Sequence, residues 1–280
     1  MTVLMTVDQL NERLKNNVDN TVILDTRFEL TEANVGRSLY EEGHIPNAIH
    51  FDLNKDLSSI PGKHGGGHPI PETDVFAKKL GEAGIDNDTT VVIYDQANDM
   101  YAARAWWLLH YFGHENVYLL DGGFQKWVEA GYEVTKEIPQ PEKRNFEAKI
   151  APNLTVNMEE VKDKMANKSA ILLDSRAKER YLGQVEPMYT KAGHIPGAKN
   201  YFWKQVLQED GLWKDEEALK KNFASLPKDE EIIVSCGSGV SACPNYIGLK
   251  LAGYENVKLY PGSYSDWVSY EENEVETKEE

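Results

Sequence analysis

Cys236 follows the apolar, largely β-branched run Glu231-Ile232-Ile233-Val234-Ser235 and precedes Gly237-Ser238-Gly239-Val240-Ser241, after which Ala242 to Leu251 has the composition of a helix. A thiol at the carboxyl end of a strand, ahead of a small-residue loop and a helix start, is placed for nucleophilic chemistry. Gly237 and Gly239 lack a Cβ, so the backbone can curl and turn the N–H groups of Ser238 to Ala242 towards the sulfur. The helix start adds unpaired N–H groups and the positive end of its dipole. Both favour a thiolate, the nucleophilic form of cysteine. Most intracellular cysteines are small buried hydrophobes, but a core strand has no need of a loop that can expose so many amides. The loop is not that of a cysteine phosphatase, because the sixth residue after Cys236 is Ala242 and the arginine that would grip phosphate is absent.

The elements that must hold this loop occur twice. Thr21-Val22-Ile23-Leu24-Asp25-Thr26-Arg27 is matched by Ala170-Ile171-Leu172-Leu173-Asp174-Ser175-Arg176, and Gly43-His44-Ile45-Pro46 by Gly193-His194-Ile195-Pro196. The run from Thr90 to Asp95 matches Glu231 to Cys236, and Gly113 to Leu119 matches Gly253 to Leu259, with Trp127 against Trp267. Short apolar runs alternate with helical patterns such as Val75 to Gly84 and Ala102 to Tyr111, which predicts an α/β fold with a parallel sheet in each copy. A polar, proline-punctuated stretch around Pro139-Gln140-Pro141 separates the copies. The expected division is residues 1–138, a linker at 139–153, and residues 154–280, ending in a solvated acidic tail.

Composition narrows the chemistry further. A net charge of −16 repels nucleic acid and anionic membrane, so neither is an expected partner, and a small anionic substrate must be drawn by local cations and amides. No apolar run approaches the length of a membrane span and the first ten residues lack a leader pattern, so a soluble, cytoplasmic protein is expected. The two cysteines, Cys236 and Cys243, exclude a disulfide framework and a structural zinc site. If the segment after the loop is helical, seven residues rise about 10 Å, too far for a disulfide. Cys243 is therefore expected to be structural.

Cys236-Gly237-Ser238-Gly239-Val240-Ser241-Ala242-Cys243 resembles the active-site loop of the rhodanese-type sulfurtransferases, and within them the 3-mercaptopyruvate form. The tandem repeat, together with Tyr101-Ala102-Ala103-Arg104-Ala105-Trp106-Trp107 and Leu120-Asp121-Gly122-Gly123-Phe124, extends the resemblance over nearly the whole chain. It implies two rhodanese-like domains, the first inactive and the second catalytic. Asp95 stands where Cys236 stands in the second copy, and a carboxylate cannot carry a persulfide.

The resemblance also implies that Arg180, in Arg180-Tyr181-Leu182-Gly183, holds the carboxylate of the sulfur donor. Its plainer role would be an ion pair with a neighbour such as Glu179. Mercaptopyruvate enzymes carry a second arginine about nine positions later, where this chain reads Glu186-Pro187-Met188-Tyr189-Thr190-Lys191. Tyr189 or Lys191 substitutes for it, or the second grip is absent. His68, in Gly65-Gly66-Gly67-His68, aligns with a family histidine that acts with the loop serine, here Ser238, as a relay. The corresponding carboxylate falls on Asn54, although Asp52 and Asp56 are close in sequence, and His64 has weaker support than His68. Asp25, Arg27, Asp174 and Arg176, with His44 and His194, recur in both copies and are expected to be architecture.

The expected function is transfer of a sulfane sulfur from a small anionic donor, 3-mercaptopyruvate favoured, through a Cys236 persulfide to cyanide or a thiol, including a thioredoxin-like protein. No metal or organic cofactor is expected. The alternatives are a thiosulfate:cyanide sulfurtransferase and, in another class, a non-catalytic binding module. The uncharged Gly237-Ser238-Gly239 argues against thiosulfate, because a compact dianion needs cations close to the sulfur.

Overall fold

The computed structural model of the protein describes residues 3–16, 20–32 and 34–278. Its contacts divide the chain into two units. The first takes Met1–Ser59, Ile70–Ala151 and Glu209–Trp213, and the second takes Ile60–Pro69, Pro152–Gln208 and Lys214–Glu280. Each unit thus includes a short segment from the other half of the chain. Ile60–Pro69, which carries His64 and His68, belongs with the second unit.

The first unit contains β1 (Leu4–Met5), α1 (Val7–Lys15), β2 (Thr21–Asp25), α2 (Val35–Glu42), β3 (Ala48–His50), α3 (Thr73–Glu82), β4 (Thr90–Tyr94), α4 (Met100–Tyr111), β5 (Val117–Leu120) and α5 (Gly123–Glu129). Its strands form one parallel sheet in the order β1-β5-β4-β2-β3. The second unit contains α6 (Met158–Ala166), β6 (Ile171–Asp174), α7 (Lys178–Tyr181), β7 (Lys199–Asn200), α8 (Glu216–Asn222), β8 (Ile232–Ser235), α9 (Cys243–Leu251), β9 (Val257–Leu259) and α10 (Ser263–Trp267). Its parallel sheet runs β7-β6-β8-β9. The α/β fold predicted from the repeat is therefore present twice.

The central strands are apolar on both faces because helices cover both sides of a parallel sheet. Val91, Val92 and Ile93 in β4, like Ile232, Ile233 and Val234 in β8, are fully buried. The repeat extends to the caps. Thr6 and Gln9 form a capping box on α1, and Asn157 and Glu160 form one on α6. Trp127 and Trp267 sit in the two cores, each donating its indole N–H to a backbone carbonyl at 2.8 Å, of Glu133 and Glu274 respectively. Helices α3 and α4 each begin two residues before the predicted starts, a difference of the size that fraying and capping produce at helix ends.

The recurring Asp–Arg pairs brace the carboxyl ends of β2 and β6. Arg27 Nη2 meets Asp25 Oδ2, and Arg176 Nη2 meets Asp174 Oδ2, at 2.6 Å in each unit with every partner buried. The same Nη2 atoms donate to the carbonyls of Gly43 and Gly193 at 2.8 and 2.7 Å. His44 and His194 stack on Tyr40 and Tyr181 with centroids 3.9 and 3.7 Å apart. Such buried pairs fix geometry more than they add stability, since desolvation offsets much of their attraction.

Candidate active site

Strand β8 lies between β6 and β9, so Cys236 leaves the sheet at the carboxyl end of an interior strand, where open α/β sheets bind ligands. Two loop carbonyls are anchored by the start of α10: Tyr264 N–H donates to Cys236 O at 3.0 Å, and Ser265 N–H to Gly237 O at 2.8 Å. The thiol is 1% exposed and its Sγ accepts the Gly239 N–H at 3.1 Å. Gly239 has φ +78, and a Cβ there would collide with the Pro261 carbonyl, so only glycine permits this turn. The expectation that amides of this loop converge on the sulfur is met at Gly239.

The structure corrects the placement of Cys243. Residues 237–242 are turns, and α9 begins at Cys243, so a helical rise of seven residues does not separate the cysteines. Cys243 is buried, and its S–H donates to Gly239 O at 3.4 Å. Both thiols therefore engage Gly239, one through its N–H and the other through its carbonyl.

Ser263 is a participant that the sequence did not single out. Its Oγ accepts the Cys236 N–H at 3.0 Å, donates to Tyr260 O at 2.8 Å and lies 3.9 Å from Cys236 Sγ. It does so from a left-handed backbone, φ +53, which costs a non-glycine residue about 1–2 kcal/mol. A signal existed in the repeat: Ser263 aligns with Gly123, which occupies the same left-handed region at φ +59.

Ile60–Pro69 is fastened to the second unit residue by residue. His64 Nδ1 is 2.7 Å from Ser269 Oγ with its ring stacked on Tyr270, Gly65 N–H donates to Asp266 Oδ1 at 2.7 Å, and Gly67 N–H to Ser265 Oγ at 3.0 Å. A Cβ on Gly66, φ +87, would strike the Gly262 carbonyl. The glycine run thus lets this segment lie flat against the start of α10 and carries His68 Nδ1 to 2.7 Å from Ser238 Oγ. His64 faces Ser269 and Tyr270. Asp52 and Asp56 are committed within the first unit, to the N–H groups of Asn54 and Lys55 and to Lys79.

Arg180 pairs with Glu186, a buried carboxylate six residues on. Its Nη2 contacts both carboxylate oxygens at 2.9 and 3.1 Å. Glu186 also meets Arg176 Nη1 at 3.3 Å, so two guanidinium groups and the carboxylates of Asp174 and Glu186 balance in charge. Arg180 nevertheless keeps donors in hand. Its Nε has no hydrogen-bond partner among the described residues, and its Nη1 lies 3.8 Å from the point that a Cβ on Gly237 would occupy. Tyr189 Oη is 3.0 Å from the same point. Lys191 is turned away, donating to the carbonyls of Glu271 and Asn273 at 2.8 Å each. Ser241 is half-buried and Val240 is buried beneath the loop.

In the first unit the corresponding loop has the same anchor and a different occupant. Phe124 and Gln125 N–H groups donate to the carbonyls of Asp95 and Gln96 at 2.9 Å each. The Asp95 carboxylate accepts the N–H groups of Asp99 and Ala102, also at 2.9 Å, at the start of α4. Burial, with the Asp99 charge adding, pushes its pKa up to about 7.

Residues 6–130 and 157–270 each match the rhodanese-like domain family. A probable 3-mercaptopyruvate sulfurtransferase of Pseudomonas aeruginosa is 38% identical over 272 residues, 95% of each chain. The thiosulfate sulfurtransferase of Cricetulus griseus is 36% identical over 252 residues, covering 88% of this chain and 84% of that one. Among solved structures, the 3-mercaptopyruvate sulfotransferase SseA of Escherichia coli superposes with a TM-score of 0.84 at 31% identity, covering 95% of this chain and 100% of that chain. With one family match on each parallel sheet, the chain belongs to the rhodanese family, as a sulfurtransferase built from two rhodanese-like domains.

Proposed function

We propose that Cys236 is the nucleophile and that 3-mercaptopyruvate is the preferred donor. The thiolate attacks the donor sulfur, an S–S bond forms as the C–S bond breaks, and the bonding pair leaves as the enolate of pyruvate, which takes up a proton. Ser238, held by His68, is the relay for that proton. A thiolate or cyanide then takes the outer sulfur and regenerates the Cys236 thiolate. Physiological acceptors of this kind include thiols on thioredoxin-like proteins. The observation that carries this reading is the Gly239 N–H aimed at Cys236 Sγ at 3.1 Å, a donor that stabilises negative charge on the sulfur before and after transfer.

Electrostatics favours the keto acid over thiosulfate. Gly237, Ser238, Gly239, Val240 and Ser241 bring no cation to the sulfur, and the nearby arginine charges are matched by Asp174 and Glu186. One remote carboxylate needs only Arg180, through the donors that Glu186 leaves free, whereas a dianion against the sulfur needs more. The thiosulfate sulfurtransferase relatives support thiosulfate as the second reading. No helix among the described residues is long and apolar enough to cross a membrane, and we place the reaction in the cytoplasm. Comparing kcat/KM for the two donors tests the assignment, with 3-mercaptopyruvate expected to be preferred. Arg180→Ala should lower kcat/KM for 3-mercaptopyruvate by about ten- to a hundredfold, the loss of a charge-assisted contact of roughly 1.5–3 kcal/mol. Preference for thiosulfate in the wild type, or indifference to Arg180→Ala, moves the assignment to thiosulfate.

A further inference from the structure

Tyr189 stands over the mouth of the loop. Its Oη and Arg180 Nη1 approach the same side of Gly237, 3.0 and 3.8 Å from where a Cβ would project, so the missing side chain is what gives both groups access to the residue after Cys236. The phenol is held in place from two sides. Its ring meets Tyr264 edge-on at 5.7 Å, and the Arg180 guanidinium lies 5.6 Å from its centroid. It is also kept neutral. Burial raises its pKa first and the negative charge of Cys236 raises it further, with Arg180 and the nearby Ser265 hydroxyl opposing more weakly.

Ser265 leaves that hydroxyl its own proton. The serine Oγ donates to the Gly262 carbonyl and accepts the Gly67 N–H, each at 3.0 Å. The phenol proton is then available to a group docked beside Gly237. A cation and a neutral O–H donor therefore share one edge of the loop, next to the sulfur. This pairing suits a ligand with one charged group and one uncharged acceptor a few bonds apart.

We propose that Tyr189 is a donor-recognition residue that hydrogen-bonds the keto oxygen of an α-keto thiol acid while Arg180 takes its carboxylate. The inference rests on the keto-acid reading above and adds a discriminating contact to it. Thiosulfate has no keto group, so this contact bears on one donor and not on the other. A neutral donor also fits the reaction, because the keto oxygen gains negative charge as the enolate leaves, and a hydrogen bond there strengthens towards the transition state.

The test is Tyr189→Phe in the full-length protein, which keeps the ring and removes the hydroxyl. kcat/KM for 3-mercaptopyruvate should fall about five- to tenfold, as expected for one neutral hydrogen bond, with kcat/KM for thiosulfate changing by less than about twofold. Inhibition by pyruvate, which retains the carboxylate and keto group, should weaken in parallel, and inhibition by sulfite should not. The thiosulfate arm also reports whether the fold and the nucleophile are intact. An unchanged ratio between the donors, whether both rates fall or neither does, overturns the proposal. Wild-type preference for thiosulfate with a ratio that still shifts removes the donor assignment and leaves the Tyr189 contact standing; preference for 3-mercaptopyruvate with an unshifted ratio does the reverse.

Discussion

The loop after β4 and the loop after β8 share one backbone design and hold different acidic side chains. In each, the residue after the strand has its carbonyl tied to the start of the helix that follows the next strand, through Phe124 in one and Tyr264 in the other. In each, the third residue on is left-handed: Asn98 at φ +56 and Gly239 at φ +78. The side chains then diverge. Asp95 fills the first loop with its own carboxylate, satisfied by two helix-start amides, and the loop is closed. Cys236 fills the second with a single atom, and Gly237 leaves its flank open to Arg180 and Tyr189. Chemistry here depends less on the cradle than on whether the cradle's occupant can form a bond and whether a substrate can reach it.

Exchanging the occupants tests that statement most severely. Cys236→Ser should reduce turnover with either donor to background, and intact-mass measurement after incubation with donor should show one added sulfur on the wild type and none on the variant. Cys243→Ser should retain most activity, since a hydroxyl can still donate to Gly239 O. The double variant Asp95→Cys, Cys236→Ser should remain inactive. Gln96, Ala97 and Asn98 replace the glycine-rich approach, Asn98 is tied to Asp121 Oδ1 and Gly211 O at 2.8 Å each, and the Asp99 charge opposes a thiolate. Efficient turnover by the double variant would show that the cradle alone suffices.

Ser263 offers a smaller and sharper test, because the first unit has already made the substitution. Ser263→Gly imports the residue found at Gly123, removing the left-handed strain together with the hydroxyl. The expected result is a roughly tenfold fall in kcat/KM with both donors alike, since the hydroxyl contacts Cys236, the proposed nucleophile, and not the donor. Thermal stability should change little, as relief of about 1 kcal/mol of backbone strain offsets the lost hydrogen bond. Ser263→Ala keeps the strain without the bond and should be the less stable of the two by thermal denaturation. Full activity in either variant would make Ser263 purely architectural.

The sequence showed the strands, the repeat and the loop because these are local: a buried parallel strand is a continuous apolar run wherever it occurs, and a tight loop needs glycine where it turns. What it hid was pairing across distance. The partner of Arg180 is Glu186 and not the adjacent Glu179, because the turn at Leu182 and Gly183 folds the chain back, and no local pattern states which carboxylate a turn will present. In segment 60–69 only the pairing of His68 with Ser238 was anticipated, through the family resemblance; that the glycines before it lie along the start of α10 follows from contacts some two hundred residues apart. Ser263 was legible only by asking why one copy of the repeat has glycine and the other a side chain. Cys243 was misplaced because its distance from Cys236 was counted as helical rise across loop residues that are not helical, and such residues between a strand and a helix have no period to reveal them.

The gentlest perturbation bears on the closed loop itself. Asp95 ionises at about 7 in the folded protein, above its unfolded value, because burial penalises the charged form. Between roughly pH 4 and 7 the folded state therefore binds the proton more tightly than the unfolded chain, and Asp95 costs stability progressively as pH rises through that window. His110 and His114 in the same unit act in the opposite sense. Burial lowers both, His110 to about 4, so their neutral forms favour the fold near neutrality and that advantage is lost as pH falls below the unfolded histidine value. Wild-type stability alone would blend the two trends, so the informative quantity is the Tm of Asp95→Asn relative to wild type at each pH. The difference should shift in favour of Asn by a few degrees between pH 4.5 and pH 8, while kcat/KM stays within about twofold of wild type because Asp95 belongs to the loop without a nucleophile. A difference that is flat with pH would mean the buried carboxylate is as well solvated by its two amides as it would be in water, and the first loop would then be a true anion site and not merely a filled one.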